Sequence, residues 1–73
     1  MKIKTNTKYH AHHVPSGEDW VILGVKKDKS MVAAAGWPPS LGKFSDCINF
    51  EEAGELTHEE IKHRNTQFGG GWI

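Results

Sequence analysis

Seventy-three residues make one domain with no room for a separate catalytic unit, and a chain this short hides only about 60% of the surface it exposes when unfolded. Nine basic side chains balance nine acidic ones, which removes the long-range positive field that most nucleic-acid binders use, so nucleic-acid binding is disfavoured. A single cysteine excludes an internal disulfide and a cysteine-built zinc site. Extra stabilisation is therefore expected from packing or association, and zero net charge, which weakens self-repulsion, makes a protein partner or a homodimer the expected form of it.

No apolar stretch reaches the ~20 residues needed to cross a bilayer, and the opening segment from Met1 to Lys8 lacks the apolar core of a secretory signal. The expectation is a cytoplasmic protein with no membrane partner.

From Lys2 to His12 the residues alternate, with Ile3, Thr5, Thr7, Tyr9 and Ala11 on one face and Lys2, Lys4, Asn6, Lys8, His10 and His12 on the other. That is the period of a half-buried strand. Val14-Pro15-Ser16-Gly17 predicts a turn, because proline fixes its own φ and glycine permits a sharp exit. Asp19 to Val25 is apolar on both faces, Trp20 and Ile22 one way, Val21, Leu23 and Val25 the other, as in a central strand. A polar tip from Lys26 to Ser30 and a second apolar run from Met31 to Ala35 complete a β-hairpin. Gly36-Trp37-Pro38-Pro39 stops it, since neither proline can donate to a ladder.

Ser40 to Lys43 reads as a loop. Phe44, Ile48 and Phe50 fall at even spacing and predict a fourth short strand near Cys47 to Glu51, with Glu51-Glu52-Ala53-Gly54 turning the chain toward a helix. In that helix Thr57 is the N-cap and Glu60 the third residue of a capping box, with Leu56 and Ile61 as a hydrophobic staple. Glu59 and Glu60 suit the first turn, Glu60 is spaced to pair with Arg64, and Gly69 marks the end. The apolar stripe is narrow, chiefly Ile61 and Phe68. The fold class expected is α+β over residues 1–68, a small single-layer, mainly antiparallel sheet of three to four strands packed against one C-terminal α-helix. Residues 69–73 are expected to form a Gly-rich hinge carrying Trp72 and Ile73, with Trp72 either folded back onto the sheet or free to dock elsewhere.

Among candidate sites, His10 and His12 share a strand face and are close enough to share a transition metal, with His13 on the opposite face unless the strand bends. Two ligands are not a site, and a third would have to come from Cys47, Asp46, His58 or His63. Solvated surface histidines are the plainer reading. Cys47 beside Asp46 would need an adjacent histidine and a helix start or cation to act as a nucleophile, and reads first as a small core or half-buried residue. Lys26, Lys27 and Lys29 at the hairpin tip, with Lys2, Lys4 and Lys8, read as solubilising gatekeepers before they read as a basic docking patch. Gly69-Gly70-Gly71 lacks the strand, Lys and helix of a phosphate loop.

The aromatics carry most weight. Trp20, Trp37 and Trp72, with Tyr9, Phe44, Phe50 and Phe68, exceed what so small a core easily encloses. Trp37 is the tryptophan expected outside, since the prolines hold it in a rigid context from which an indole docks with little entropy lost. The equal alternative is that Trp37 and the prolines cap one end of the core. The functional expectation is a non-enzymatic protein-binding module, accessory or regulatory, with no cofactor and no catalytic residues, using Trp37, Pro38, Pro39 and Trp72 as its partner-binding surface. The alternative is a metal-binding protein or small metal-dependent hydrolase centred on His10 and His12, with His13 as a further candidate ligand; a nucleic-acid-binding protein using the lysines and exposed aromatics ranks behind it. Size alone also suits an accessory protein of a phage or mobile element.

Overall fold

The computed structural model describes residues 2–73. It contains strands β1 (Thr7–His13), β2 (Glu18–Val25), β3 (Met31–Ala34), β4 (Ser40–Lys43) and β5 (Cys47–Glu55), followed by helix α1 (His58–Phe68). The strands form one antiparallel sheet in the order β4-β3-β2-β1-β5. The first four run as a meander, and β5 returns to the free edge of β1. β2 lies at the centre, where a strand apolar on both faces belongs.

The sheet thus has five strands, not three to four. The additional one is Ser40–Lys43, expected as a loop, which pairs with β3 from Met31↔Lys43 to Ala34↔Ser40. Its ladder has a partner on one side only, and its Leu41 is exposed, so no apolar alternation marks it. β5 also runs to Glu55, through the Glu51-Glu52-Ala53-Gly54 segment expected to turn. Edge position explains this, because charges on an edge strand stay solvated.

β1 starts at Thr7, later than the alternation from Lys2 suggested; Asn6, at φ 52°, redirects the chain just before it. Ile3 still reaches the core, and the Lys4 amide donates to the Tyr9 hydroxyl at 2.9 Å. Of three register shifts in the sheet, two reset the faces of core residues. Between Ile22 and Gly24 the register with β3 shifts, so Val25 joins Ile22 in the core instead of lying opposite it. Opposite Ala11, β5 spends two residues, Asn49 and Phe50, and Asn49 takes φ 57°. Phe50 thereby packs against Tyr9 and Phe44 while Ile48 is exposed, which breaks the even spacing expected of that strand. Phe44 itself sits in one turn of 3-10 helix, Phe44–Asp46.

The main core comprises Ile3, Tyr9, Ala11, Ile22, Val25, Val32, Ala34 and Cys47, flanked by Trp20, Phe44, Phe50 and Ile73. Helix α1 crosses β2 at Leu23 and Gly24. Its capping box is complete: Thr57 Oγ1 accepts from the Glu60 amide at 3.1 Å, and Glu60 Oε1 accepts from the Thr57 amide at 2.9 Å. The helix does not bury mainly Ile61 and Phe68. Its one buried side chain is Arg64, which donates to the Leu23 carbonyl at 3.0 Å instead of pairing with Glu60. The room comes from Gly24, where a Cβ would stand 2.9 Å from Arg64 Cδ and 3.1 Å from the Trp72 ring.

Of the two readings of the last residues, the one with Trp72 folded back holds. Lys27 donates to the Gly71 carbonyl and Ile73 to the Val25 carbonyl, and Lys26 and Trp72 form an antiparallel bridge. Trp72 is 7% exposed, donates to the Gly69 carbonyl at 2.7 Å, meets Phe68 edge-on and has the Lys26 ammonium 4.2 Å above its ring.

Candidate functional site

β3 ends at Ala34, and the Ala35 amide makes one more bond, to the Val21 carbonyl, before the chain leaves the sheet. Gly36 allows the turn that follows: a Cβ there would be 2.9 Å from the Pro38 carbonyl oxygen. The Trp37-Pro38 bond is cis, and the turn throws the indole outward, leaving Trp37 93% exposed. Pro38 is exposed and Pro39 half-buried.

One neighbour meets the indole from the helix. The His63 imidazole lies nearly parallel to it, 16° between planes and 6.2 Å between centroids. Together with Leu23, Ala35, Gly36, Glu59 and Glu60 they line a cleft of about 370 Å³. Its floor is apolar and its helical wall carries two carboxylates. Glu60 is committed elsewhere, to the Thr57 amide and to Lys8 Nζ at 3.1 Å; the Thr57 hydrogen bond first, then Lys8, holds its carboxyl below the usual range. Glu59 is exposed and makes no ion pair among the described residues.

Of the four residues expected to form one partner-binding surface, Trp37 and Pro38 therefore stand in the open with the half-buried Pro39 beside them. Trp72 does not join them; it is packed under the far end of the helix against Gly24, Arg64 and Phe68, because a large ring beside a glycine gains more by burial than by exposure. Glu59 and His63 stand out in the sequence only as a first-turn acid and a possible metal ligand, not as walls of this cleft. Their spacing of four puts both on one helical face, but which loop that face would meet is a property of the tertiary fold.

The histidine cluster divides as strand geometry requires. His10 and His12 border an open groove of about 540 Å³ with Asp19, Trp20, Val21, Asn49 and Glu51. His12 Nδ1 bonds Asp19 Oδ1 at 2.9 Å across the β1–β2 pair. His13 turns to the other face, stacks on Trp20 at 3.6 Å between centroids, and bonds Ser16 Oγ at 2.7 Å. Among the described residues no three His, Cys, Asp or Glu side chains converge on a point where a metal ion would sit. Cys47 is buried with Sγ 3.7 Å from the Lys43 carbonyl; burial first, then Asp46, pushes its thiol pKa up, the opposite of what a nucleophile needs.

Three lysines tie elements together. Lys4 pairs with Glu52 of β5, Lys8 with Glu60 of α1, and Lys26 caps the Gly70 carbonyl beneath the docked tail. No protein-family model, curated protein or solved structure matches this chain.

Proposed function

We infer that the chain is a non-enzymatic protein-binding module that engages its partner through Trp37, Pro38 and Pro39. The supporting observation is the contrast among the three tryptophans: Trp20 and Trp72 are packed into the fold, whereas Trp37 is 93% exposed at the mouth of an apolar-floored cleft. Leaving a tryptophan in water forgoes about 1.5–3 kcal/mol of burial free energy in a domain with little stability to spare. A ring so placed contributes that amount on docking, and aromatic anchors of this type dominate binding energy in protein interfaces.

The test is quantitative affinity capture from native lysate with the wild type and Trp37→Ala side by side. Loss of a captured protein from the variant, at unchanged thermal stability, is the expected result. An identical set of captured proteins from both would remove this surface as the binding site.

A further inference from the structure

We propose that the occupant of the Trp37 cleft is an arginine side chain presented by a protein partner. This rests on the docking role assigned to Trp37 above and specifies what that surface recognises.

Three features of the cleft converge on a flat cation. The first is the indole, whose π face attracts a cation and, being a plane with one side open to solvent, suits a group that stacks. The second is charge. Lys8 offsets Glu60, but Glu59, one residue earlier on the same wall, makes no ion pair or hydrogen bond among the described residues, so an uncommitted carboxylate stands in the cleft with the aromatic. The third is the floor of Leu23, Ala35 and Gly36, an apolar channel that accommodates the methylene stem of a long side chain but offers no side-chain hydrogen-bonding group to an amide or hydroxyl.

An anionic or purely aliphatic occupant would satisfy at most one of the three. Between the two long cations, arginine fits better than lysine: its guanidinium is planar, stacks on aromatic rings, is weakly hydrated and directs N–H groups sideways to a carboxylate while stacked. The near-parallel Trp37 and His63 rings favour a planar group over a tetrahedral ammonium for the same reason. In the seated geometry the guanidinium lies on the indole, its N–H groups reach Glu59, and the stem runs over Ala35.

The experiment is a titration of the uniformly ¹⁵N-labelled full chain, followed by amide and indole chemical shifts, with capped pentapeptides Gly-Ala-X-Ala-Gly in which X is arginine, lysine, citrulline, leucine or proline. Citrulline keeps the shape and planarity of arginine and removes the charge. The arginine peptide is expected to bind roughly fivefold or more tightly than the citrulline peptide, with shifts centred on the Trp37 indole N–H and the amides of Gly36, Glu59 and His63. Glu59→Gln should erase most of that preference, and Trp37→Ala should abolish the response. Equal binding of arginine and citrulline, tighter binding of leucine or proline, or shifts centred elsewhere would overturn the assignment. If the arginine preference is missing while Trp37→Ala still loses a captured protein, the docking role stands and the occupant is wrong. If Trp37→Ala alters neither, both fall.

Discussion

The benzo edge of Trp20, on β2, presses on Gly42 of β4 so closely that a Cβ at Gly42 would stand 2.6 Å from the ring. His13 of β1 stacks on the same indole, 10° from parallel. One ring thus holds together three strands, one of which is not a neighbour of its own.

Gly42→Ala should therefore destabilise the protein by about 1–3 kcal/mol, the usual cost of forcing a methyl into a packed contact. Urea unfolding measures it. The double variant Gly42→Ala with Trp20→Leu should recover part of the loss relative to the sum of the singles, since the shorter side chain frees the space; strict additivity would show that the contact is not the cause.

Docking of the C-terminal residues through Trp72 predicts a second stability effect. Trp72→Ala should cost about 2–4 kcal/mol by leaving a cavity beside Gly24 and Arg64. Gly24→Ala should act in the same direction by overfilling it. In both variants the amides of Lys27 and Ile73, which bond across this junction, should lose their protection against hydrogen exchange. Unchanged exchange would mean the tail is held by its backbone bonds alone.

Thr57→Ala removes the side-chain half of the capping box and should cost about 1 kcal/mol with a small loss of helicity by circular dichroism. Thr57→Ser keeps the acceptor oxygen and should restore most of it.

Glu60 sets an acid limb. Its carboxyl is held below the usual range in the folded chain, so the unfolded chain takes up that proton first as pH falls. The stability that the ionised group contributes is complete above the ordinary glutamate range and is lost as pH drops through the folded value. Glu60→Gln keeps an oxygen for the Thr57 amide but no charge for Lys8. The wild type should exceed it by about 0.5 kcal/mol near neutrality, and the gap should begin to close below the ordinary glutamate range and vanish as pH falls through the depressed folded value. A gap that does not change with pH would exclude the charge as its origin.

Cys47, buried and with its thiol pKa pushed up, should label with iodoacetamide at least about tenfold more slowly in the folded protein than in denaturant. Equal rates would place the sulfur at the surface.

Elements with strong local chemistry were legible in the sequence. The capping box at Thr57 and Glu60 fixed the helix start, the paired apolar runs fixed the central hairpin, and the two prolines after Trp37 marked where β3 had to end. What escaped depended on distant partners. Ser40–Lys43 forms a strand because β3 offers it an edge, not because of its own alternation. The bulges at Ile22–Gly24 and Asn49–Phe50 reverse faces that a period of two assigns rigidly. Burial of Arg64 and Trp72 follows from the absent side chain of Gly24, a vacancy that carries meaning only once strand and helix are placed over each other. The exposure of Trp37 could be anticipated from its rigid neighbours, whereas its companions Glu59 and His63 could not.

The return of β5 to β1 has a consequence for how the molecule is made. Along a growing or refolding chain the first four strands can zip in order, each against its predecessor, but His10 and His12 must wait for Glu51 and Ile48 before β1 gains its second partner. Until then a half-apolar strand faces outward with its amides bare, open to whatever other chain is nearby. Completion hands that outermost position to β5, whose Glu51, Glu52 and Glu55 repel a like neighbour, so the finished molecule trades an adhesive rim for a charged one.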